Sequence, residues 1–256
     1  MRAPIIIAAV LATAAQSLAA QDFRWHSVLA AGKTLEVRGI NGSIQAARAS
    51  GSEAEVVATK RGRRSDPSDV EIKVVEYADG VTICALYPSR RVRANECRPG
   101  GGGHNDNDDN DVEVTFEVRV PAGVAFTGTT VNGDVIGRDL QADATLITVN
   151  GDVEVETGGV AHATTVNGSI RAKLGRADWQ RSLGFTTVNG GITVSLPANT
   201  SADVAATTVN GSVESDFPIT VRGKINPSSL RGRIGEGGRD LNLTTVNGSI
   251  RLQKGS

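Results

Sequence analysis

The chain repeats one short pattern of apolar and polar positions. Its core is Thr-Val-Asn-Gly, followed after one residue by Val or Ile, and its asparagines are Asn132, Asn150, Asn167, Asn189, Asn210 and Asn247. Successive asparagines lie 18, 17, 22, 21 and 37 residues apart. The widest interval contains a degenerate copy, Leu230-Arg231-Gly232-Arg233-Ile234, which divides it into 21 and 16 residues. Seven copies with a period near 20 residues predict a solenoid.

Alternation within the unit predicts which side chains face the core, because successive strand residues point to opposite sides. Two apolar columns are expected to face inward, one from Val131 to Val246 and one from Val135 to Ile250. The position two before the first column is then also inward, and its members are Thr129, Ile147, Thr164, Thr186, Thr207 and Thr244. The intervening column is expected to face water: Thr130, Thr148, Thr165, Thr187, Thr208 and Thr245.

Two arrangements of the units are compatible with Asn-Gly. Between strand-like segments it is a strong hairpin signal, which would give an antiparallel meander. A parallel stack is favoured, because it places equal residues over one another at about 4.8 Å and lets asparagine side chains form a ladder. Seven rungs would span roughly 34 Å. The predicted structural ladder consists of Asn132, Asn150, Asn167, Asn189, Asn210 and Asn247.

The remaining chain divides into a leader and a β-rich region. Residues 1–20 have the short apolar core and small-residue end of a secretory signal peptide. Residues 21–121 form the β-rich region, expected to cover the open end of a solenoid at 122–256. Its candidate strands are 34–38, 43–47, 54–59, 70–76, 81–86 and 112–120. Asn41 belongs to an isolated early copy of the repeat.

Composition limits the function further. Without Arg2 the chain has 26 basic and 28 acidic residues, which gives no reason to expect nucleic acid as a partner. No segment after the leader is long and apolar enough to cross a bilayer, so the mature protein is not expected to be transmembrane. Only 4% of residues are aromatic, so the core must consist of aliphatic columns.

The combined motifs resemble a known family. Val120-Pro121-Ala122-Gly123-Val124 leads into the Thr-Val-Asn-Gly copies, and Ser195-Leu196-Pro197-Ala198 and Ile234-Gly235-Glu236-Gly237-Gly238 lie among them. Over roughly residues 34–252 the chain resembles the bacterial β-strand-repeat envelope proteins described as putative adhesins, a domain family of unknown function. The resemblance implies an all-β, parallel β-solenoid (single-stranded β-helix) exported to the cell envelope, and it implies no catalytic residues.

Cys84 and Cys97 are the only cysteines. An exported chain meets an oxidising compartment, so a disulfide between them is expected, with two free thiols or a metal pair as the alternatives. Closing their 13-residue separation would stabilise the fold by roughly 3 kcal/mol.

The segment from Gly100 to Asp111 is glycine-rich and acidic. Asp106, Asp108 and Asn110 alternate as the ligands of a calcium loop do, but Asp111 occupies the position where that loop needs glycine. The main expectation is a solvated, disordered loop tip. Weak calcium binding is the alternative, and no other cofactor is expected.

Asp134 and Asp152 occupy equivalent positions in consecutive units, so their Cα atoms would lie about 4.8 Å apart. Paired carboxylates at about 5 Å are typical of retaining glycosidases. The same column continues with Ser169, Gly191 and Ser212, which favours a structural role. A polysaccharide-acting enzyme that uses these two aspartates therefore remains the alternative function.

Two basic clusters follow predicted strands and could form an anion-binding patch. They contain Lys60, Arg61, Arg63, Arg64, Arg90, Arg91 and Arg93. The alternative is that they are solvated hairpin tips.

The sequence as a whole favours a non-enzymatic protein, exported to the periplasm or the cell surface, whose rigid β-solenoid presents a surface for binding or adhesion to an envelope ligand. Repetition is concentrated in structural columns and not in a convergent polar cluster. An envelope sensing component that binds anionic polymers is a further alternative.

Overall fold

The chain is all-β. A computed structural model describes residues 21–90, 94–221 and 228–255, so the proposed signal peptide lies outside the described residues. The described part contains one short 3-10 helix, Pro67–Asp69, and no α-helix. The strands are β1 (Gln21–Val28), β2 (Thr34–Arg38), β3 (Ile44–Arg48), β4 (Glu53–Arg61), β5 (Glu71–Tyr77), β6 (Gly80–Leu86), β7 (Glu96–Cys97), β8 (Gly103–His104), β9 (Glu113–Val120), β10 (Ala125–Thr129), β11 (Val135–Leu140), β12 (Ala144–Ile147), β13 (Val153–Thr157), β14 (Ala161–Thr164), β15 (Ile170–Leu174), β16 (Leu183–Thr186), β17 (Ile192–Leu196), β18 (Ala202–Thr207), β19 (Val213–Ser215), β20 (Ile219–Val221), β21 (Ser229–Ile234), β22 (Asp240–Thr244) and β23 (Ile250–Lys254).

Two long sheets contain nearly all of these strands. Sheet I has the order β1-β4-β9-β3-β11-β13-β15-β17-β23-β19. Sheet II has the order β20-β21-β18-β22-β16-β14-β12-β10-β2-β6-β5. Strands β7 and β8 form a separate pair. The centre of each long sheet is parallel, and antiparallel pairs occur toward the ends.

Each repeated unit gives one strand to each sheet, and Asn-Gly lies at the corner between them. In sheet I, Val135 pairs with Val153, and Val153 pairs with Ile170. Strands that are adjacent in sequence therefore lie in different sheets, and like residues lie beside like residues. The antiparallel meander is wrong, because the Asn-Gly corner carries the chain from one sheet to the other instead of returning it along its own strand.

The inner faces of both sheets share one hydrophobic core. It is built mainly from Val, Ile, Leu and Ala, together with the fully buried Phe116, Phe126 and Phe185. The predicted inward column from Val135 to Ile250 is fully buried in most units, as in Val153, Ile170 and Ile192. Branched aliphatic side chains suit the pleated inner face of a sheet, which explains how so few aromatic residues suffice.

The corner glycines are required by the closeness of successive units. A Cβ atom added to Gly168 would lie 2.0 Å from the carbonyl oxygen of Gly151, and one added to Gly190 would lie 2.0 Å from that of Gly168. Real Cβ atoms do not approach a carbonyl oxygen this closely, so only glycine allows the units to stack at strand spacing.

The units do not stack in chain order. Asparagine bridges join Asn189 to Asn247 and Asn247 to Asn210, so the last unit lies between the fourth and the fifth complete copies. Correspondingly, β23 lies between β17 and β19, and β22 lies between β16 and β18. The expectation that each unit covers its predecessor is wrong at this end of the molecule.

The degenerate copy around Arg231 is not a rung. It lies in β21, which pairs antiparallel with β18 and with β20. Arg231 is placed opposite Ala205 and not over an asparagine. An arginine side chain has no amide oxygen, so this copy cannot accept the hydrogen bond that the next asparagine would donate.

The early copy at Asn41 extends the column beyond Asn132, so the described column contains seven asparagines. Its strands β2 and β3 pair in parallel with β10 and β11, so both sheets continue without interruption across residue 121. Beyond it, the antiparallel strands β4 and β1 end sheet I, and β5 ends sheet II. Strands β4 and β5 satisfy the edge hydrogen bonds that β9 and β6 would otherwise expose.

Candidate binding surfaces

The asparagine side chains form a continuous ladder along the corner. The Nδ2 of each asparagine donates to the Oδ1 of its neighbour in the stack at 2.7–2.8 Å. The bonded column is Asn41, Asn132, Asn150, Asn167, Asn189, Asn247 and Asn210. At the first end, the Nδ2 of Asn41 donates to the carbonyl oxygen of Asn110 at 3.4 Å. These amides are exposed, but their donors and acceptors are already used by one another.

The threonine column that was expected to face water is buried. Thr130, Thr148, Thr165, Thr187 and Thr245 are each about 1% exposed. Their hydroxyls donate to glycine carbonyl oxygens of the neighbouring unit, as Thr187 Oγ1 does to Gly168 at 2.8 Å. The predicted orientation is wrong because the chain turns at the corner, where the buried carbonyl groups need a donor that valine cannot supply.

The two neighbouring columns consequently face outward. Val131, Val149, Val166 and Val188 are each 36% exposed at the corner, and Val209 is 64% exposed. The column from Thr164 to Thr207 lies on the outer face of sheet II, where Thr186 has Thr164 on one side and Thr244 on the other. One exposed threonine or isoleucine per unit therefore lines this face.

Between β10 and β18, the outer face of sheet II carries no charged side chain in the two columns nearest the corner. From β10 to β18 these columns consist of Thr127, Thr129, Thr145, Ile147, His162, Thr164, Gly184, Thr186, Asn242, Thr244, Ala205 and Thr207. Six adjacent strands thus present a regular surface, rich in hydroxyl and methyl groups and without Asp, Glu, Lys or Arg.

The outer face of sheet I is charged and internally paired. Lys173 bonds to Glu156 at 2.6 Å, and Arg251 bonds to Glu214 at 2.6 Å, in each case between adjacent strands. Arg138 also approaches Glu154 at 3.3 Å. In these places opposite charges on adjacent strands satisfy one another.

Asp134 and Asp152 lie in consecutive units, but their carboxylates already accept hydrogen bonds from backbone amides. Oδ1 of Asp134 accepts from the amide of Asp152 at 2.8 Å, and Oδ1 of Asp152 accepts from the amide of Ser169 at 2.8 Å. Arg171 approaches the other oxygen of Asp152 at 3.5 Å. Each carboxylate thus fastens its corner to the next one, which is a structural role.

A disulfide fixes the long connection after β6. Cys84 and Cys97 are bonded, with their Cα atoms 5.9 Å apart. The bond holds β7 near the edge of sheet II. The glycine-rich turn between β7 and β8 then covers two side chains of β2 that point outward. Glu36, which is 3% exposed, accepts from the backbone amides of Gly100 at 3.0 Å and Gly101 at 3.1 Å.

Side-chain hydrogen bonds hold the described segment from Gly100 to Asp111 in place, contrary to the expected disordered tip. Asn105 donates to the carbonyl oxygen of Ala85 and accepts from the amide of Tyr87, so its side chain pairs with the strand end as a backbone would. Burial raises the pKa of Tyr87 to about 12, and its hydroxyl donates to Val112 at 2.9 Å. Asparagine side chains order this loop because each supplies both a donor and an acceptor.

The calcium candidates are directed at protein groups. Asp106 pairs with His104 at 2.8 Å, and Asp108 accepts from the amide of Arg90 at 2.7 Å. Oδ1 of Asn110 accepts from the amide of Val112. Over residues 21–90, 94–221 and 228–255, no group of three or more His, Cys, Asp or Glu side chains is placed to hold a metal ion.

Two residues of the first basic cluster bind neighbouring groups of the fold. Lys60 is buried and donates to the carbonyl oxygen of Val70, and burial lowers its pKa. Arg64 pairs with Asp111 at 3.2 Å. Backbone amides of Ser65 and Arg64 donate to that carboxylate and hold the pKa of Asp111 well below its usual range.

Two members of the second cluster, Arg91 and Arg93, lie outside the described residues. Strand β4, which leads to Arg61, lies in sheet I, and β6, which leads to Arg90, lies in sheet II. Arg63 and Arg64 line a cleft of about 660 Å³ beside Asn41 and Asn132. The two strands that precede the clusters are therefore not neighbours.

A family model matches residues 89–253, well over half of the chain, and it is that of the Toastrack domain of unknown function, DUF4097. The chain belongs to the Toastrack DUF4097 family. The resemblance to β-strand-repeat envelope proteins is thereby confirmed. The Toastrack match begins within the connection after β6 and includes the corners from Asn132 to Asn247.

Several solved structures resemble this Toastrack chain. A putative cell adhesion protein from Clostridium sporogenes is 10% identical, with 92% of this chain and 100% of that chain covered and a TM-score of 0.47. A putative adhesin from Bacteroides fragilis is 11% identical, with coverage of 91% and 97% and a TM-score of 0.34. A putative lipid binding protein from Parabacteroides distasonis is 12% identical, with the same coverage and a TM-score of 0.24. No curated protein matches the chain.

The described part of the Toastrack chain contains no helix that is long and apolar enough to cross a membrane. Residues 1–20, where the sequence places the signal peptide, are not among those the structure describes.

Proposed function

We propose that this Toastrack protein is a non-enzymatic, exported binding protein of the cell envelope, and that it binds through the uncharged outer face of sheet II. In this proposal the two sheets are the sides of a β-solenoid whose last coil is inserted between two earlier ones. The solenoid holds the binding face rigid over six strands.

The contrast between the two outer faces carries the proposal. The outer face of sheet I is charged, and many of its charges pair with one another, as in Lys173–Glu156 and Arg251–Glu214. Sheet II instead presents exposed threonines such as Thr164, Thr186 and Thr244, flanked by small or neutral side chains. An uncharged face loses less hydration free energy on contact than a charged one, because buried charges need partners.

The chemistry of the face favours a neutral, hydroxyl-bearing partner such as a surface polysaccharide. Threonine supplies a hydroxyl that both donates and accepts, together with a methyl group for apolar contact. Its short side chain also loses little conformational freedom on binding, so the array is preorganised.

Export is supported by two sequence features and one structural feature. The apolar leader at residues 1–20 is typical of secretion, and the only two cysteines are bonded to each other. A non-enzymatic role is supported by Asp134 and Asp152, whose Oδ1 atoms accept backbone hydrogen bonds within the stack.

The test is a sedimentation assay with insoluble cellulose, chitin and peptidoglycan sacculi. We expect the wild-type protein to be retained by at least one of these polymers and Thr186→Lys to be retained about tenfold less, since an unpaired charge must be desolvated on contact. Gln45→Lys is the matched control: it adds the same charge to the exposed face of sheet I, where Glu117 lies opposite.

Two outcomes would contradict the proposal. If none of the polymers retains the protein, the outer face of sheet II does not bind them as proposed. If the two lysine variants are retained equally, binding occurs at another part of the surface. Release of soluble sugars that is lost in Asp152→Ala would instead establish the enzymatic alternative.

A further inference from the structure

A second candidate site lies on the outer face of sheet I, at the end formed by β1, β4, β9 and the turn after β3. It is an open cleft of about 720 Å³, which is within the usual size of a small-molecule site. Six titratable side chains line it: Arg24, His26, Arg48, Glu53, Glu55 and Arg119.

Positive charge exceeds negative charge in this lining. Three guanidinium groups face two carboxylates, and both carboxylates are already bonded to β1. Arg24 donates to Glu55, and His26 bonds to Glu53 at 2.9 Å. The acidic groups are therefore directed toward the first strand, away from the remaining arginines.

Arg119 is the guanidinium that these pairs leave unused. It lies directly opposite Glu55 on β4, but that carboxylate is bonded to Arg24. Its other neighbour in the sheet is Ala47, whose small side chain leaves space beside it. Arg119 is exposed and makes no ion pair or side-chain hydrogen bond with the residues that the structure describes.

The wall of the cleft supplies further donors. Ser50 and Ser52 flank Gly51 in the turn between β3 and β4, and within the described ranges their hydroxyls have no hydrogen-bond partner. Arg48 approaches Asp139 only at 3.7 Å. A tetrahedral oxyanion can bond to several donors that converge from different directions, whereas a planar carboxylate offers two oxygens in one plane.

We propose that this cleft binds a phosphate group, carried either by a sugar of an envelope polymer or by a lipid head group, with Arg119 as its main contact. The guanidinium matches two phosphate oxygens at once, and the serine hydroxyls complete the coordination of the third. The cleft is on sheet I, so this proposal stands or fails separately from the binding face on sheet II.

The test uses full-length mature protein and two forms of the same chemistry. Calorimetric titration compares glucose 6-phosphate with glucose, and flotation compares phosphatidylcholine vesicles with and without phosphatidylglycerol. We expect binding to at least one phosphate-bearing probe, and Arg119→Gln should weaken it about tenfold by removing a charge-assisted contact.

Arg138→Gln is the matched control. It removes the same charge from the same outer face, but Arg138 pairs with Glu154 and does not line the cleft. We expect this control to bind as the wild type does. Preference for glucose 6-phosphate would identify a phosphoglycan as the source, and preference for the vesicles would identify a lipid head group.

The proposal is overturned if neither phosphate-bearing probe binds, or if the two variants bind equally. Unchanged thermal unfolding of Arg119→Gln would show that its loss of binding does not arise from misfolding, which is expected because the side chain is exposed.

Discussion

At the scale of single residues, the two adjacent threonines of each unit have opposite roles. Thr187 is about 1% exposed and donates to Gly168 of the neighbouring corner, whereas Thr186 is exposed on sheet II. A donor at the buried position satisfies the part-buried carbonyl oxygen of the neighbouring corner. The same residue type thus serves the fold at one position and the surface at the next.

Replacing each threonine by valine separates these roles. Thr187→Val should lower the free energy of unfolding by about 0.5–1.5 kcal/mol, because it removes the hydrogen bond to a part-buried carbonyl oxygen. Thr186→Val should change it by less than about 0.5 kcal/mol, as exposed substitutions usually do. Urea denaturation of the two variants measures both. The opposite ranking would restore the orientation expected from strict alternation.

At the scale of the structural element, the Asn-Gly corner joins the two sheets and connects each unit to the next. Its glycine permits contact with the neighbouring corner, its asparagine continues the ladder, and its aspartate, where present, accepts a backbone amide. One three-residue segment therefore combines up to three interactions between units, which explains why its Asn-Gly is repeated more faithfully than the strands on either side.

The ladder makes a specific contribution to stability. Asn167→Ala combined with Asn189→Ala removes three consecutive amide hydrogen bonds, those between residues 150 and 167, 167 and 189, and 189 and 247. At about 0.5–1.5 kcal/mol for each, the free energy of unfolding should fall by about 1.5–4.5 kcal/mol. Thermal unfolding measures the loss.

Asn199→Ala is the control for the ladder, because Asn199 is an exposed asparagine in a turn that contributes no side chain to the column. It should leave the melting temperature nearly unchanged. If the double variant and this control have the same melting temperature, the hydrogen bonds between exposed amides add no stability beyond that of hydrogen bonds to water.

At the scale of the whole molecule, the out-of-order insertion places the C-terminal strand in the interior of sheet I. Leu252 on β23 is fully buried between β17 and β19, although it lies four residues from the end of the chain. Leu230 on β21, in contrast, is only half-buried in the antiparallel pair that ends sheet II. Burial thus depends on the order of stacking and not on the order of the sequence.

Two leucine substitutions test this order. Leu252→Ala should lower the free energy of unfolding by about 2–5 kcal/mol, the range for a fully buried leucine, and Leu230→Ala should cost clearly less. Chemical denaturation gives both values. If the units stacked in chain order, β23 would lie at the end of sheet I with one edge unpaired. A loss for Leu252→Ala that is smaller than the loss for Leu230→Ala would therefore contradict the inserted coil.

The sequence locates the candidate cleft around Arg119 only in part. The alternation around Arg119 in β9 marks it as an outward residue, but its neighbours Glu55 and Ala47 are 64 and 72 residues away. Which charges are paired and which are left over is decided by register between such distant strands. The phosphate cleft therefore has no local sequence signal beyond a single exposed arginine.

The sequence alone determined the all-β class, the position of each corner and the column of asparagines, because these follow from short-range repetition and from the small size of glycine. Only the tertiary structure decided which threonine is buried, that the unit at Asn247 lies between those at Asn189 and Asn210, and that the copy at Arg231 leaves the stack. The reason is physical: nearly identical units pair almost equally well with any other unit. Their order is therefore fixed by the connections and by the strands that close the ends of the sheets.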